Sequence, residues 1–245
     1  MSSIWGMTDV GLVRKENQDA YAFREKTASG HAVCVVCDGM GGAAGGKLAS
    51  RIAVETFLEE MERRLHPGIT PEELQEATVA AVAQANRAIR EAAVRSPEYQ
   101  NMGTTLVSAV TCKEGAVVSN VGDSRAYHIT SQAITQITRD HSLVERMVEQ
   151  GNLTPEEARH HPKRNLITRA LGPDVDAECD CYVCAMEPGD FLLLCTDGLV
   201  NTVTDQEMWG EVLQEDLESC LDRLLAIAKS QGASDNVTAV LMRKS

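Results

Sequence analysis

Four aspartates stand at the ends of apolar, strand-like runs, and nothing else in the sequence restricts the fold as much. Asp38 follows Val35-Val36-Cys37, Asp123 follows the run 117–121 with one glycine between, Asp197 follows Leu192-Leu193-Leu194-Cys195-Thr196, and Asp235 comes just before the run 237–242. A carboxylate at the end of a buried strand is costly unless a cation or hydrogen-bond donors compensate it. Four such ends on the same sheets imply a shared charge partner. Oxygen-only ligation, with no histidine cluster in the sequence, suits Mg²⁺ or Mn²⁺ rather than zinc. Any one Asp-Gly taken alone is more often a turn than a ligand, so the joint placement carries the reading. Asp19 in Asn17-Gln18-Asp19 is a weaker signal, as is Arg14, because Arg14-Lys15-Glu16 reads equally well as a solvated charge run.

The rest of the pattern assigns the elements. Val54, Phe57, Leu58, Met61 and Leu65 recur at helical spacing, as do Leu74, Ala77, Thr78, Ala81, Ala85 and Ala88 in the next segment. Thr70-Pro71 with Glu73, and Thr154-Pro155 with Glu157, spell helix starts with capping boxes. A last helix follows from Leu217, Leu221, Leu224, Leu225 and Ala228. Strand-like runs occupy 21–24, 32–37, 104–111, 116–121, 126–129, 133–137, 178–184, 191–195 and 237–242. The short turn at 112–115 joins two of them as an antiparallel hairpin, which favours an α+β layered sandwich over repeated βαβ units. No repeat, linker or low-complexity tract divides the chain, so residues 1–245 are expected to form a single domain. The glycine-rich stretch 39–46 is neither a P-loop nor a dinucleotide fingerprint; glycine there lets backbone approach a metal or phosphate, or starts a helix tightly after a strand.

Charge and cysteine content narrow the partners. Asp plus Glu outnumber Lys plus Arg by 36 to 23, a net charge of -13, which repels a phosphate backbone on average and argues against nucleic acid. No run reaches the ~20 apolar residues of a bilayer span, and residues 1–6 lack a basic and apolar signal, so the expectation is a cytoplasmic chain without a membrane partner. Among the 8 cysteines, Cys34/Cys37 and Cys181/Cys184 imitate halves of a zinc site, with Cys179 beside the second pair. Residues three apart on a strand point to opposite faces, however, and the preferred reading is core filling.

Taken in order, Thr8-Asp9-Val10-Gly11 with Arg14 and Asn17-Gln18-Asp19, Val36-Cys37-Asp38-Gly39-Met40-Gly41-Gly42, Met102-Gly103-Thr104-Thr105, Asn120-Val121-Gly122-Asp123-Ser124-Arg125, Thr196-Asp197-Gly198-Leu199 and Ser234-Asp235-Asn236-Val237-Thr238 resemble the ordered motifs of the metal-dependent Ser/Thr protein phosphatases (PPM, or type 2C). The match spans nearly the whole chain. Met40 after Asp-Gly, and the segment from His160 to Asn165 with Thr168-Arg169-Ala170-Leu171-Gly172, resemble the bacterial branch near its mobile flap. The resemblance implies a four-layer αββα sandwich, two antiparallel sheets flanked by pairs of helices, with two core Mn²⁺ or Mg²⁺ ions at one end. By that resemblance Asp38 bridges both ions, the Gly39 carbonyl binds one, Asp197 and Asp235 complete the other, and Asp19 holds a metal-bound water. Asp123 with Asp197 resembles the ligand set of a third, weaker ion. Arg14 resembles the arginine that grips the phosphate with its planar fork.

The implied reaction is hydrolysis of phosphoserine and phosphothreonine on proteins by in-line attack of a hydroxide shared by the two ions. The implied partners are phosphorylated proteins and a cognate Ser/Thr kinase, met by a monomer. Where some members place a histidine directly after Asp-Gly, or after the Gly-Gly pair, this chain has Met40 and Ala43. His161 is then a candidate acid for the leaving group, weighed against a structural role. The competing readings are a catalytically degenerate binding or sensing module of the same fold, and a two-metal enzyme acting on nucleic acid or small phosphomonoesters.

Overall fold

The computed structural model describes residues 2–214, 216–217 and 219–244. Its strands are β1 (Ser3–Asp9), β2 (Ala20–Arg24), β3 (Val33–Cys37), β4 (Gly39–Met40), β5 (Gly103–Thr104), β6 (Leu106–Thr111), β7 (Gly115–Val121), β8 (Arg125–Ile129), β9 (Ile134–Gln136), β10 (Asp180–Ala185), β11 (Phe191–Cys195) and β12 (Val237–Arg243). They form two five-stranded antiparallel sheets, ordered β1-β12-β11-β8-β9 and β10-β7-β6-β3-β2, plus a small β4-β5 ladder. The helices are α1 (Ala43–Arg64), α2 (Pro71–Ala93), α3 (Leu143–Glu149), α4 (Pro155–His160), α5 (Asp197–Val200), α6 (Asp205–Val212) and α7 (Cys220–Ser230).

Strand β3 explains the unbroken apolar runs. Val33, Val35 and Cys37 face α1 and α2, where they meet Phe57, Met61 and Leu74. Cys34 and Val36 face the other way, into the space between the sheets, with Leu192, Leu194 and Val240. Leu193 and Cys195 of β11 turn outward to Leu199, Met208 and Leu224 of the second helical layer. Alternate residues thus enter different cores, giving the four layers of an αββα sandwich. Each fully buried leucine contributes about 2 kcal/mol of transfer free energy to one of them.

Helix starts follow the chemistry of their first turns. Thr70 and Thr154 cap α2 and α4 with reciprocal bonds to Glu73 and Glu157, and Thr204 does the same for α6 with Glu207. The elements β1, α3, α5 and α6 were not expected, although Ser142 with Glu145 and Thr204 with Glu207 mark the starts of α3 and α6. In β1 only Ile4 is buried, and a side chain at Gly6 would overlap the Tyr21 ring, so no apolar alternation marks the strand. The expected strand 104–111 is broken at Thr105, whose amide and hydroxyl both turn to Asp38. The last helix begins at Cys220 instead of Leu217; Glu218 lies outside the described residues.

All 8 cysteines are free. Cys34, Cys37, Cys184, Cys195 and Cys220 are buried, as core filling requires, whereas Cys112, Cys179 and Cys181 are partly exposed. Cys34 and Cys37 point into different cores, so that pair cannot converge on one metal. Among the described residues no helix is long and apolar enough to cross a membrane.

Candidate metal centre

The antiparallel order delivers the aspartates to one end of the sandwich. Asp38 leaves β3, Asp123 follows β7 through Gly122, Asp197 opens α5 directly after β11, Asp235 precedes β12, and Asp19 precedes β2. All five are partly exposed; Asp38 and Asp235 line one cavity and Asp123 and Asp197 another, while Asp19 lines neither.

Their mutual repulsion is visible in their acidities. Burial pushes the Asp38 carboxyl well above the usual carboxylate range, and the charges of Asp19, Asp197, Asp123 and Asp235 push it further. Burial does the same to Asp123, with Asp197 and Asp140 adding to it. Asp197 is raised by burial and by Asp235, although Asn201 donates to its Oδ2 at 3.0 Å and Asp38 lies close enough to share a proton with it. Burial raises Asp19 to about 7, against hydrogen bonds from Thr238 at 2.6 Å and Thr196 at 3.0 Å.

Short polar side chains hold this arrangement. The Asp38 amide donates to Thr105 Oγ1 at 2.9 Å, and its carbonyl accepts from the Thr105 amide at 2.9 Å and from Thr104 Oγ1 at 2.8 Å. Thr105 Oγ1 also pairs with Ser124 Oγ at 2.7 Å, tying Asp38 to the residue after Asp123. Asn236 fastens the 10–18 loop: its amide nitrogen donates to the carbonyls of Val10 and Glu16, both at 3.0 Å, and its Oδ1 accepts from the Gln18 amide at 2.9 Å. That loop carries Arg14 to the mouth of the channel, where Nη2 lies 2.7 Å from Asp235 Oδ2. Gly39 has no room for a side chain, because the Gly46 carbonyl of α1 passes directly against it.

The channel opens in two directions. A cleft of about 540 Å³ is lined by Arg14, Asp38, Gly39, Met40 and Asp235. A groove of about 830 Å³ runs from Asp123 and Asp197 to Arg159, His160 and Arg164. His161 lines neither; its Nδ1 accepts the Lys163 amide at 3.2 Å, a local turn contact, which favours its structural role over that of an acid. Arg125, beside Asp123, is fully engaged by Asp140, with contacts of 2.7, 2.9 and 3.1 Å, and is not free to hold a substrate.

The seven expected site residues therefore come together. The supporting Thr105, Ser124, Thr196, Thr238 and Asn201 were not foreseen in these roles. Several of them lie inside the quoted motifs, but small hydroxyl residues are too common for their spacing alone to reveal what they bond.

The donor set fits a hard divalent cation. Oδ1 of Asp19 and Oδ1 of Asp197 are buried and accept no hydrogen bond, and Arg14 is the one cation paired directly with any of the five carboxylates among the described residues. Among those residues no three His, Cys, Asp or Glu side chains are placed to hold an ion unaided. Ligation must accordingly draw on backbone carbonyls and water as well, as Mg²⁺ and Mn²⁺ habitually do.

An oxygen-only, strongly anionic cluster with a guanidinium beside it has the donor chemistry that a hard cation and a tetrahedral anion call for. The model for the family Protein phosphatase 2C matches residues 13–242, and the chain belongs to that family. It is 35% identical over 239 residues to the serine/threonine phosphatase stp of Listeria monocytogenes, covering 97% of this chain and 94% of that protein. The structure of the serine/threonine phosphatase Stp1 from Staphylococcus aureus superposes with a TM-score of 0.93 at 34% identity, covering 100% of this chain and 96% of the other. The catalytic domain of the serine threonine protein phosphatase PstP, in complex with 2 manganese ions, superposes with a TM-score of 0.82 at 31% identity, covering 99% and 97%.

Proposed function

We propose that residues 1–245 form one catalytic domain of a metal-dependent protein serine/threonine phosphatase, which hydrolyses phosphoserine and phosphothreonine on cytoplasmic phosphoproteins, a cognate kinase among them. The observation that carries this is the pair of buried, unpartnered carboxylate oxygens on Asp19 and Asp197, set among three further carboxylates with Arg14 at the mouth.

In this reading Asp38, the Gly39 carbonyl, Asp197 and Asp235 hold two Mn²⁺ or Mg²⁺ ions, Asp19 acts through a water, and Asp123 with Asp197 offers a third, weaker place. Bound ions would cancel the carboxylate charge, polarise the phosphoryl oxygens and supply a nucleophile at neutral pH. Arg14 binds the phosphate. Asp235 takes one N–H of Nη2 and fixes the plane of the fork, which leaves four of its five N–H groups for phosphate oxygens. Asp38 is held rigid by Thr104 and Thr105, so the inner end of the cleft is fixed before substrate enters.

The cleft is lined by no histidine, and Met40 lines it at the position directly after Asp38-Gly39. A solvent proton must then serve the leaving alkoxide, so the enzyme should depend strongly on leaving-group acidity. Across a series of aryl phosphates, rates should rise steeply as the phenol becomes more acidic, whereas a flat series would mean that a protein acid is present. The substrate class is tested by Mn²⁺-dependent phosphate release from a phosphothreonine peptide, with nucleotides as competitors. Peptide turnover little affected by nucleotide is the expected result. Metal binding without turnover would make the chain a binding module, and preferred hydrolysis of the nucleotide would make it a different phosphoesterase.

A further inference from the structure

His141 lies outside every residue set assigned above, yet it is buried and bonded on all sides. Its amide donates to the Gly122 carbonyl at 2.8 Å, and its own carbonyl accepts from the Thr168 amide at 2.7 Å. Its ring Nδ1 lies 3.1 Å from the Gly122 amide, in a fully buried contact. Its Nε2 lies 3.1 Å from Asp180 Oδ2. Asp180 in turn accepts from Arg169 Nη1 at 2.8 Å, and Arg169 also pairs with Glu178 at 2.9 Å.

The tautomer follows from the partners. A backbone amide can only donate, so Nδ1 must be the acceptor and the ring proton sits on Nε2, where Asp180 receives it. Arg169 Nη1 lies 3.1 Å from Nε2, but both carry hydrogen, so the guanidinium bonds Asp180 and not the ring. Burial lowers the pKa of this imidazole against the opposing pull of Asp180, in keeping with a neutral ring.

The Gly122 peptide is the last backbone unit before Asp123. Gly122 has φ 108°, in the region that favours glycine, and a Cβ there would lie 2.6 Å from Thr105 Cγ2. The Asp123 side chain makes no hydrogen bond to another described residue, so its aim is set by its own backbone. The ring of His141 accepts from the Gly122 N–H, while His141 N–H and Asn120 Nδ2 donate to the Gly122 carbonyl in the peptide that leads to Asp123, the latter at 3.2 Å, so both sides of Gly122 are held. The segment 143–166, with α3 and α4, departs from and returns to the same residue, since Thr168 is bonded to the His141 carbonyl.

We propose that His141 is a positioning residue: held by Asp180 and Arg169, its ring clamps the Gly122 peptide and aims the Asp123 carboxylate at the Asp197 side of the channel. The proposal rests on the reading of Asp123 as a ligand for the weaker ion.

Two near-isosteric variants separate the two ends of the ring. His141→Asn keeps an acceptor near the position of Nδ1 and loses the reach to Asp180. His141→Gln reaches Asp180 but presents no acceptor to Gly122. Full-length enzyme is titrated with Mn²⁺ alone, its weak binding class is measured by electron paramagnetic resonance, and kcat and KM for a phosphothreonine peptide are taken on the same samples. His141→Gln should weaken the weak class about 10- to 100-fold and lower kcat with KM little changed, as loss of an outer support of a ligand does. His141→Asn should stay within about threefold of wild type, the spread left when a conservative variant preserves the supporting bond. Equal losses in both variants, or falling activity with an unchanged Mn²⁺ isotherm, would overturn the proposal in favour of a general packing role. Asp123→Asn is the control. If it leaves the weak class intact, the ligand reading itself fails and takes the proposal with it; if it removes that class while His141→Gln does not, only the positioning role fails.

Discussion

Two sets of aspartates in this protein meet opposite treatment. Asp9, Asp140 and Asp180 each lie against a basic partner: Lys229 at 2.7 Å, Arg125 at 2.7 Å and Arg169 at 2.8 Å. Burial works to raise Asp180, but His141 and Arg169 outweigh it and hold it below its ordinary value. At the end of the sandwich Asp19, Asp38, Asp123 and Asp197 receive hydroxyls, an amide or nothing, and the pKa of all four is raised. Arg125 sits two residues from Asp123 yet is committed to Asp140, and Arg14 meets the cluster at Asp235 alone. The difference teaches that the fold leaves the cluster's charge largely uncompensated, as the proposed cation site requires, and that a basic residue near a site need not serve the substrate.

The largest expected effect breaks the unpaired set. Asp38→Asn should lower kcat at least about a hundredfold at any Mn²⁺ concentration. In chelator the same variant should melt higher than wild type, by about 3 °C, because one of the mutually repelling charges is gone. Calorimetry and phosphate release on one preparation give both readings. A variant that is inactive and also less stable would place Asp38 among the ordinary structural aspartates.

Arg14→Lys comes next. A point charge can still meet Asp235 but cannot grip two phosphate oxygens, so kcat/KM for a phosphothreonine peptide should fall about tenfold, mostly through KM, with an unchanged melting temperature. Arg125→Lys should do the reverse. It loses the bidentate pair with Asp140, costs about 2 kcal/mol of stability in thermal melts, and leaves KM as it was. If the two substitutions act alike, the division of labour between the arginines is wrong.

The smallest effect belongs to the paired set. Burial tends to raise the Asp9 carboxyl, but Lys229 and the Gly11 amide, at 2.9 Å, hold it below its ordinary value. A lowered carboxyl stabilises the fold above its unfolded pKa and loses that contribution as pH falls through the folded value. Asp9→Asn should therefore cost about 0.5–1 kcal/mol at pH 7, and the difference should close below about pH 4. Urea melts in chelator at the two pH values check it.

How legible these regions were in the sequence followed from how many constraints acted on each residue. Strands β3 and β11 are buried on both faces, so every position must be apolar and the runs announce themselves. Their terminal aspartates stand out because a charge there contradicts its surroundings. Strand β1 pairs with β12 through seven residues, yet has little burial to mark it. The hydroxyls that hold Asp19 and Asp38 were visible as motif letters, but their partners lie far along the chain, as with Thr238 and Asp19, 219 residues apart. His141 was passed over for the same reason, since its role depends on Gly122, Asp180 and Arg169 meeting in space. The sequence also suggested His161 as an acid, where the structure gives that ring a turn to hold.

The central claim, that the four carboxylates without a basic partner are left for divalent cations, is tested most directly by thermal unfolding of the wild-type chain in chelator and in saturating Mn²⁺, beside the single variant Asp38→Asn. Wild type should gain several degrees on adding Mn²⁺, as a ligand bound only by the folded state requires, and the variant should gain much less from a higher starting point. An equal gain in both proteins, or no gain in wild type, would contradict it.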